Sequence, residues 1–378
     1  TSPFPQLLVS TSLGGSPGTP ETGLEARVVR VESLDELRAL TPDELSGRFA
    51  YIDYRMERNK SGSGYSPASR IRSCGHYIAA DRGALGTIIR SAGTSHHRYP
   101  HTGSIMNRDI PPTIPAIALS KDDADLLTQQ LLADDAVTMR VQSTARHLPP
   151  EVSANVIGEI PGRGDLADEV VLLGAHLDSW DLGTGAIDDG AGVAIVTAAA
   201  KLILDSGSAP RRTIRVVLYA NEEFGLDGAE QYAEKHAAAI GKHVVGLEAD
   251  FGAGRVWKFS SRVADDALDL VEAMHALLEP IGIERGNNKS SGGADLSPLR
   301  KAGMPVLGMT QDGSKYFDFH HTADDTLDKI DRADINQNVA AYVTAAYIAA
   351  YIETDFGRIE PDTRPKRSCS AADDKWTS

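Results

Sequence analysis

The alternation of apolar and polar positions divides the chain into two stretches of different rhythm. From Ala26 to about residue 148 the apolar runs are short: ARVVRVES, GRFAYIDYR, GTIIRSAG, Thr113–Leu119 and TMRVQSTARHL read as strands separated by turns. A helix is expected from about Ser73 to Asp81. A second starts after Ser120, a suitable N-cap, and continues through Leu126, Leu127, Leu131 and Leu132. Residues 1–25, rich in Gly, Pro, Ser and Thr, read as a flexible entry.

Past Pro149-Pro150 the pattern changes. SANVIGEIPG opens a second domain, and the apolar run from Glu169 to Ala175 is that of a strand covered on both faces of a parallel sheet. The helix Gly190 to Asp205 is apolar nearly all round, so it is expected to be buried. RRTIRVVLYA, HVVGLEAD and MPVLGMT are further strands. One helix carries Ala229, Tyr232 and Ala233, another aligns Leu268, Val271, Met274, Leu277 and Leu278 on one face, and a last runs from about Asp334 to Glu353. The tail, 357–378, reads as disordered. The predicted class is α/β: a doubly wound, mostly parallel mixed sheet over 149–356, preceded by a smaller β-rich α+β unit over 26–148.

At 378 residues the chain exceeds the usual size of a single core, in keeping with two domains. Its composition, 41% apolar and 24% charged, is that of a globular protein, and no run approaches the ~18 apolar residues of a membrane span. A formal charge of -15 disfavours nucleic acid as a partner, since phosphate binding needs clustered Lys and Arg. It fits instead a group of acids that something cationic neutralises. Cys74 and Cys369 are far apart, with no CxxC spacing, so neither a thiolate metal site nor a disulfide framework is expected, and Cys369 lies in a polar tail. No basic-then-apolar leader stands at Thr1; the chain does not begin with Met, as expected of one whose leader has been removed.

The richest chemistry lies in GAHLDSWDLGTGAIDDGAG, Gly174 to Gly192. One imidazole and several carboxylates at a strand end and its loop suit a hard-to-borderline divalent metal. Taken alone, the stretch also fits a solvated acidic loop, because Asp and Gly are ordinary turn residues. Strand position separates the two readings. Doubly wound sheets bind ligands beyond the carboxyl ends of their strands, and His176/Asp178, Glu222/Glu223 and Asp250 each close a different predicted strand. If they converge with Asp188 and Asp189, the acids cannot all ionise without counter-charge. Two divalent cations roughly 3.5–4 Å apart would supply it, and would activate a water for hydrolysis. Elsewhere, His96, His97 and His101 read as an exposed loop, as do Arg58, Lys60, Arg70 and Arg72. Asp227, Asp312, Asp318, Asp324 and Asp325 read as solvated turn acids.

HLDSWDxGxGAxDDGxG, the Glu222-Glu223 pair, the strand end at Asp250 and FHHTADDT together resemble the co-catalytic zinc exopeptidases, a family that includes bacterial leucyl aminopeptidases and carboxypeptidase Q; the similarity is greatest to the carboxypeptidase Q branch. It covers most of residues 150 to 355. GRFAYIDYR, ADRGALGTIIR and IPAIALSKDDADLL are similar to the protease-associated domain inserted in such enzymes. The resemblance implies two zinc ions, with Co²⁺ or Mn²⁺ also suited, and small peptides or dipeptides as substrates. It makes His176 and Asp250 ligands of one metal, Asp188 the bridge, and Glu223 and His321 ligands of the other, His321 being preferred over His320 because it directly precedes Thr322. Glu222 would be the general base, Asp178 would orient His176, and Asp189 would follow Asp188 across a cis peptide bond. Tyr316 and Asp295 are candidate substrate contacts, with Asn287 and Asn288 in similar standing.

The resemblance also favours a secreted or extracytoplasmic location and leaves room for a homodimer. Relatives carry a largely helical segment ahead of the inserted domain where this chain has about 25 loop-like residues, so an N-terminally shortened form is expected. Two rivals share the pattern: a single-zinc, glutaminyl cyclase-like acyltransferase, and a non-catalytic receptor or binding module. The intact five-ligand set, with both Glu222 and Glu223, argues against each.

Overall fold

The computed structural model describes residues 5–105, 111–134, 136–362 and 369. The chain forms two compact units, bounded as Thr1–Glu151 with Phe317–Asp324 and Pro365–Ser378, and as Val152–Tyr316 with Asp325–Arg364.

In the first unit the strands are β1 (Ser10–Ser12), β2 (Leu24–Val31), β3 (Phe49–Ile52), β4 (Gly86–Arg90), β5 (Ala116–Leu119) and β6 (Thr138–Val141). They lie in the order β1-β5-β4-β3-β2-β6, with a parallel centre and antiparallel edges β1 and β6. Successive side chains of the central strands enter opposite cores. Ala50, Ile52 and Ile89 meet Ile71, Cys74 and Ile78, whereas Phe49, Tyr51 and Ile88 meet Ala124 and Leu127.

Three features differ from the sequence expectation. Ser10–Ser12, inside the segment read as flexible, adds to the free edge of β5 through main-chain pairing, which needs no apolar side chains. The helix expected from Ser73 begins at Tyr65; Pro67 falls in its first turn, where no N–H partner is required, and Ala68 and Ile71 give that turn a buried face. Cys74 and Cys369 form a disulfide, with Cα atoms 5.3 Å apart across a sequence separation of 295. The rest of the tail read as disordered, 363–368 and 370–378, lies outside the described residues.

The second unit holds β7 (Val156–Ile160), β8 (Val170–His176), β9 (Thr213–Tyr219), β10 (His243–Glu248), β11 (Val256–Arg262), β12 (Glu284–Arg285) and β13 (Val306–Gln311), in the order β12-β11-β13-β10-β8-β9-β7. The core strands β13, β10, β8 and β9 are mutually parallel; β7 and β11 run antiparallel to their inner neighbours. The sheet is covered on both faces. Val171, Leu173 and Ala175 pack on the helices Ala191–Asp205 and Arg332–Tyr351, while Val170 and Leu172 pack with Ala229, Tyr232 and Leu299. This two-sided burial is why β8 reads as an unbroken apolar run. Sequence reading missed β11, where Trp257 and Lys258 interrupt the alternation, and the two-residue β12. Among the described residues no helix is long and apolar enough to cross a membrane.

Candidate functional site

Adjacent parallel strands of the second sheet end at His176, Tyr219 and Glu248, so the residues just beyond them share one edge. His176 is 1% exposed. Its Nδ1 lies 2.8 Å from the carbonyl oxygen of Asp178, which can only accept, so the imidazole carries its proton there. Nε2 then faces two carboxylate oxygens, Asp188 Oδ1 at 3.2 Å and Asp250 Oδ1 at 3.5 Å. A lone pair aimed at two carboxylates requires either a second proton or a cation. The acids accordingly raise the imidazole pKa far above its ordinary value, although burial alone would lower it.

The spacing suits a metal. Ligand atoms about 2.0–2.2 Å from a tetrahedral ion lie roughly 3.3–3.6 Å apart, close to the 3.2 and 3.5 Å that separate His176 Nε2 from its two acid partners. Ligand-capable atoms of His176, Asp188 and Asp250 all lie within 4.8 Å of one another, and so do those of His176, Glu222 and Glu223.

Local structure explains how each acid is held. The peptide bond between Asp188 and Asp189 is cis. The buried Asp189 carboxylate accepts from His176 N–H at 3.1 Å and from Gly192 N–H at 3.0 Å, tying the turn Ala186–Gly190 to the strand end. A Cβ on Gly192 would collide with the Ala249 carbonyl and the Asp189 carboxylate, so this close approach requires glycine. Asp178 meets the other ring nitrogen of His176 through its main-chain carbonyl. The carboxylate caps Glu222 N–H at 3.0 Å and Glu223 N–H at 3.2 Å. Burial, then Asp250 and other acids, pushes Glu222 well above the usual carboxylate range; burial and Asp250 do the same to Asp189. The cluster thus carries more acid than it can ionise unaided.

Sequence reading did not foresee three supports. Trp180 Nε1 donates to Glu223 Oε2 at 2.7 Å. Asp325, read as a solvated acid, is 4% exposed and receives Ile187 N–H at 2.6 Å and Asp188 N–H at 3.2 Å. The buried Glu248 accepts from the N–H groups of Ala294, Asp295 and Leu296 at 2.8, 3.2 and 2.8 Å. Burial, followed by Asp250, still raises Glu248 to about 8. Asp295, a candidate substrate contact, is 1% exposed. Tyr316 is also buried, its ring 5.1 Å from that of Phe251.

His320 and His321 belong to the first unit, where their rings stack at 3.5 Å. His321 Nδ1 lies 3.2 Å from the Thr102 carbonyl, and Thr102 N–H donates to the His321 carbonyl at 3.0 Å. His101, read as part of an exposed loop, is buried, with Nδ1 donating to the His320 carbonyl at 2.7 Å. His96 and His97 of the same triplet are exposed.

Comparison with known proteins agrees with this geometry. The family model described as Peptidase family M28 matches residues 155–346. Carboxypeptidase Q of Mus musculus is 33% identical over 338 residues, covering 89% of this chain and 70% of that protein. A crystal structure of a Peptidase M28 precursor from Shewanella amazonensis superposes with a TM-score of 0.87 at 48% identity, over 95% of this chain and 81% of that one. A zinc aminopeptidase from Bacillus subtilis shares the fold, with a TM-score of 0.65 at 21% identity, over 94% of this chain and 83% of that one. A strand-end acid cluster inside the matched segment, in a chain so broadly similar to these proteins, leads to one assignment: the chain belongs to peptidase family M28.

Proposed function

We propose that the chain is a metal-dependent exopeptidase that hydrolyses small peptides or dipeptides, with two divalent ions, zinc by preference, and Glu222 as general base. The observation that carries this reading is His176 Nε2 facing Asp188 and Asp250 at ligand spacing while Nδ1 is committed to the Asp178 carbonyl. In this reading His176 and Asp250 would hold one ion, Asp188 would be shared by both, and Glu223 would hold the other; the His-Thr motif nominates His321 as the fifth ligand. Ions bound there would supply Lewis acidity for a peptide carbonyl and a water of lowered pKa.

The chain's own groups do the rest. A Glu222 carboxylate oxygen takes the proton of the attacking water and returns it to the leaving amine. Asp178 fixes the backbone of Glu222 and Glu223 together, so the base and its neighbouring ligand keep one relative orientation. Trp180 donates to one oxygen of Glu223 and would so orient its carboxylate toward a bound ion.

Residues 149–356 are the proposed catalytic domain and 26–148 the protease-associated-type domain, an assignment supported by the sequence resemblance. The Cys74–Cys369 disulfide supports an oxidising, extracytoplasmic location. Relatives named as a carboxypeptidase and as an aminopeptidase support either terminus as the site of attack.

The test is direct. Purified protein should hold about two metals per chain and cleave a dipeptide, and a chelator should abolish cleavage. Comparing the dipeptide with its N-blocked and C-amidated forms names the required terminus. Hydrolysis that survives complete metal removal would sink the proposal; one metal with cyclising activity would favour the acyltransferase, and metal-free, inactive protein the binding module.

A further inference from the structure

The loop Phe317–Asp324, which carries His321, packs into the first unit rather than with the sequence that flanks it. Its backbone is fastened at both ends of a short path. Thr94 N–H donates to the Phe317 carbonyl at 2.9 Å, and Thr102 N–H donates to the His321 carbonyl at 3.0 Å. Between these points Asp318 accepts from Thr94 Oγ1 at 2.8 Å and from Arg58 Nη1 at 2.8 Å and Nη2 at 2.5 Å. Arg58 Nη2 also donates to the main-chain carbonyl of Thr94 at 3.0 Å, closing a ring of three residues. The receiving loop is itself anchored to the sheet. Ser91 Oγ donates to the Leu119 carbonyl at 2.6 Å, and Thr102 Oγ1 donates to the Ser12 carbonyl at 2.9 Å.

This fastening acts on a backbone that needs it. His321 has φ of 60°, a left-handed conformation that a non-glycine residue holds only when its surroundings impose it. The Thr102 carbonyl can only accept, so His321 carries its proton on Nδ1. Neither Arg58 nor Asp318 was expected to be anything but solvated, and neither is a ligand.

We propose that Arg58, Asp318 and Thr94 are positioning residues: a clamp that holds the His321 loop so that its imidazole is presented to a metal. This rests on the reading of His321 as a ligand. It gives the clamp a task in metal retention, independent of any contact with substrate. Bidentate Arg58 and the Thr94 hydroxyl both converge on one carboxylate, so loss of Asp318 releases both at once.

The test measures zinc affinity of the full chain by competition with a chromophoric chelator, alongside the melting temperature. Asp318→Asn and Arg58→Gln should each weaken binding of one ion by about 10–100-fold, the usual cost of losing a partner that orients a ligand, with melting shifted by less than about 2 °C. Thr94→Ser should retain affinity and Thr94→Val should lose it. If His321→Ala loses an ion while Asp318→Asn and Arg58→Gln bind as the parent does, the clamp is refuted and the ligand assignment stands. If His321→Ala binds zinc like the parent, the ligand assignment fails and the clamp with it. If affinity falls only in step with melting temperature in both clamp variants, their role is general stability and the proposal is overturned.

Discussion

Asp325 receives the N–H groups of Ile187 and Asp188 on its two carboxylate oxygens, at 2.6 and 3.2 Å. Its own carbonyl accepts from Thr184 N–H at 2.8 Å and from the Thr184 hydroxyl at 3.1 Å. One residue therefore fixes both ends of the stretch that delivers Asp188. Removing the carboxylate strands two N–H groups in a buried turn, at about 1–3 kcal/mol for each left unsatisfied. Asp325→Ala should lower the unfolding free energy by about 2–6 kcal/mol for the two groups together and reduce metal content, while Asp325→Asn, which keeps one acceptor, should lose less. Chemical denaturation with metal analysis checks this; an alanine variant indistinguishable from the parent in both would remove Asp325 from the account.

Glu222 stands next to a proposed ligand but is held differently from it. Its neighbour Glu223 receives the Trp180 indole N–H at 2.7 Å, whereas Asp178 reaches Glu222 only through the backbone. Glu222→Ala should therefore retain metal, with kcat lower by about 10²–10⁴, the range for loss of a general base. Turnover near the parental rate, measured with the metal content verified, would assign the base elsewhere.

How much of this was legible in the sequence depends on which partner each residue needed. His176, Glu222 and Asp250 could be placed because strand ends are readable from apolar runs, and the sheet converts strand ends into proximity. Asp325 and His101 were misread as exposed because their partners are backbone groups well over a hundred positions away, which leave no mark on local composition. Asp178 illustrates a finer limit. Its closeness to His176 was foreseeable, but whether carbonyl or carboxylate meets the ring depends on the turn after β8. The Cys74–Cys369 bridge was obscured by the polar tail, since chain return is a tertiary event that composition does not report.

That bridge makes a simple prediction. Cys74 is buried and both cysteines are paired, so native and denatured protein alike should resist alkylation unless reductant is added, after which two thiols should react on unfolding. Intact mass spectrometry reads the outcome. Label incorporated by denatured, unreduced protein would show the thiols to be free.

Asp53 offers a pH test in the first unit. Its fully buried carboxylate meets Arg90 at 2.6 Å, Arg30 at 2.7 Å, the Thr128 hydroxyl at 2.8 Å and the Tyr51 hydroxyl at 3.1 Å. Burial would raise its pKa, but Arg90 and Arg30 outweigh burial and hold it below the ordinary value. A depressed carboxylate contributes stability that is fully present above its unfolded pKa of about 3.9 and is lost as pH falls through the lower native value. Breaking one side of a buried pair costs about 3–5 kcal/mol. Arg90 keeps Asp125 at 2.9 Å, so Asp53→Asn should fall near the lower figure at pH 7. The gap between Asp53→Asn and the parent, followed by urea midpoints, should stay constant from pH 7 to about pH 5 and narrow once the pH drops below about 4. A gap that stayed constant into that acid range would show that Asp53 stabilises the unit by shape and hydrogen bonding alone, with no contribution from its charge.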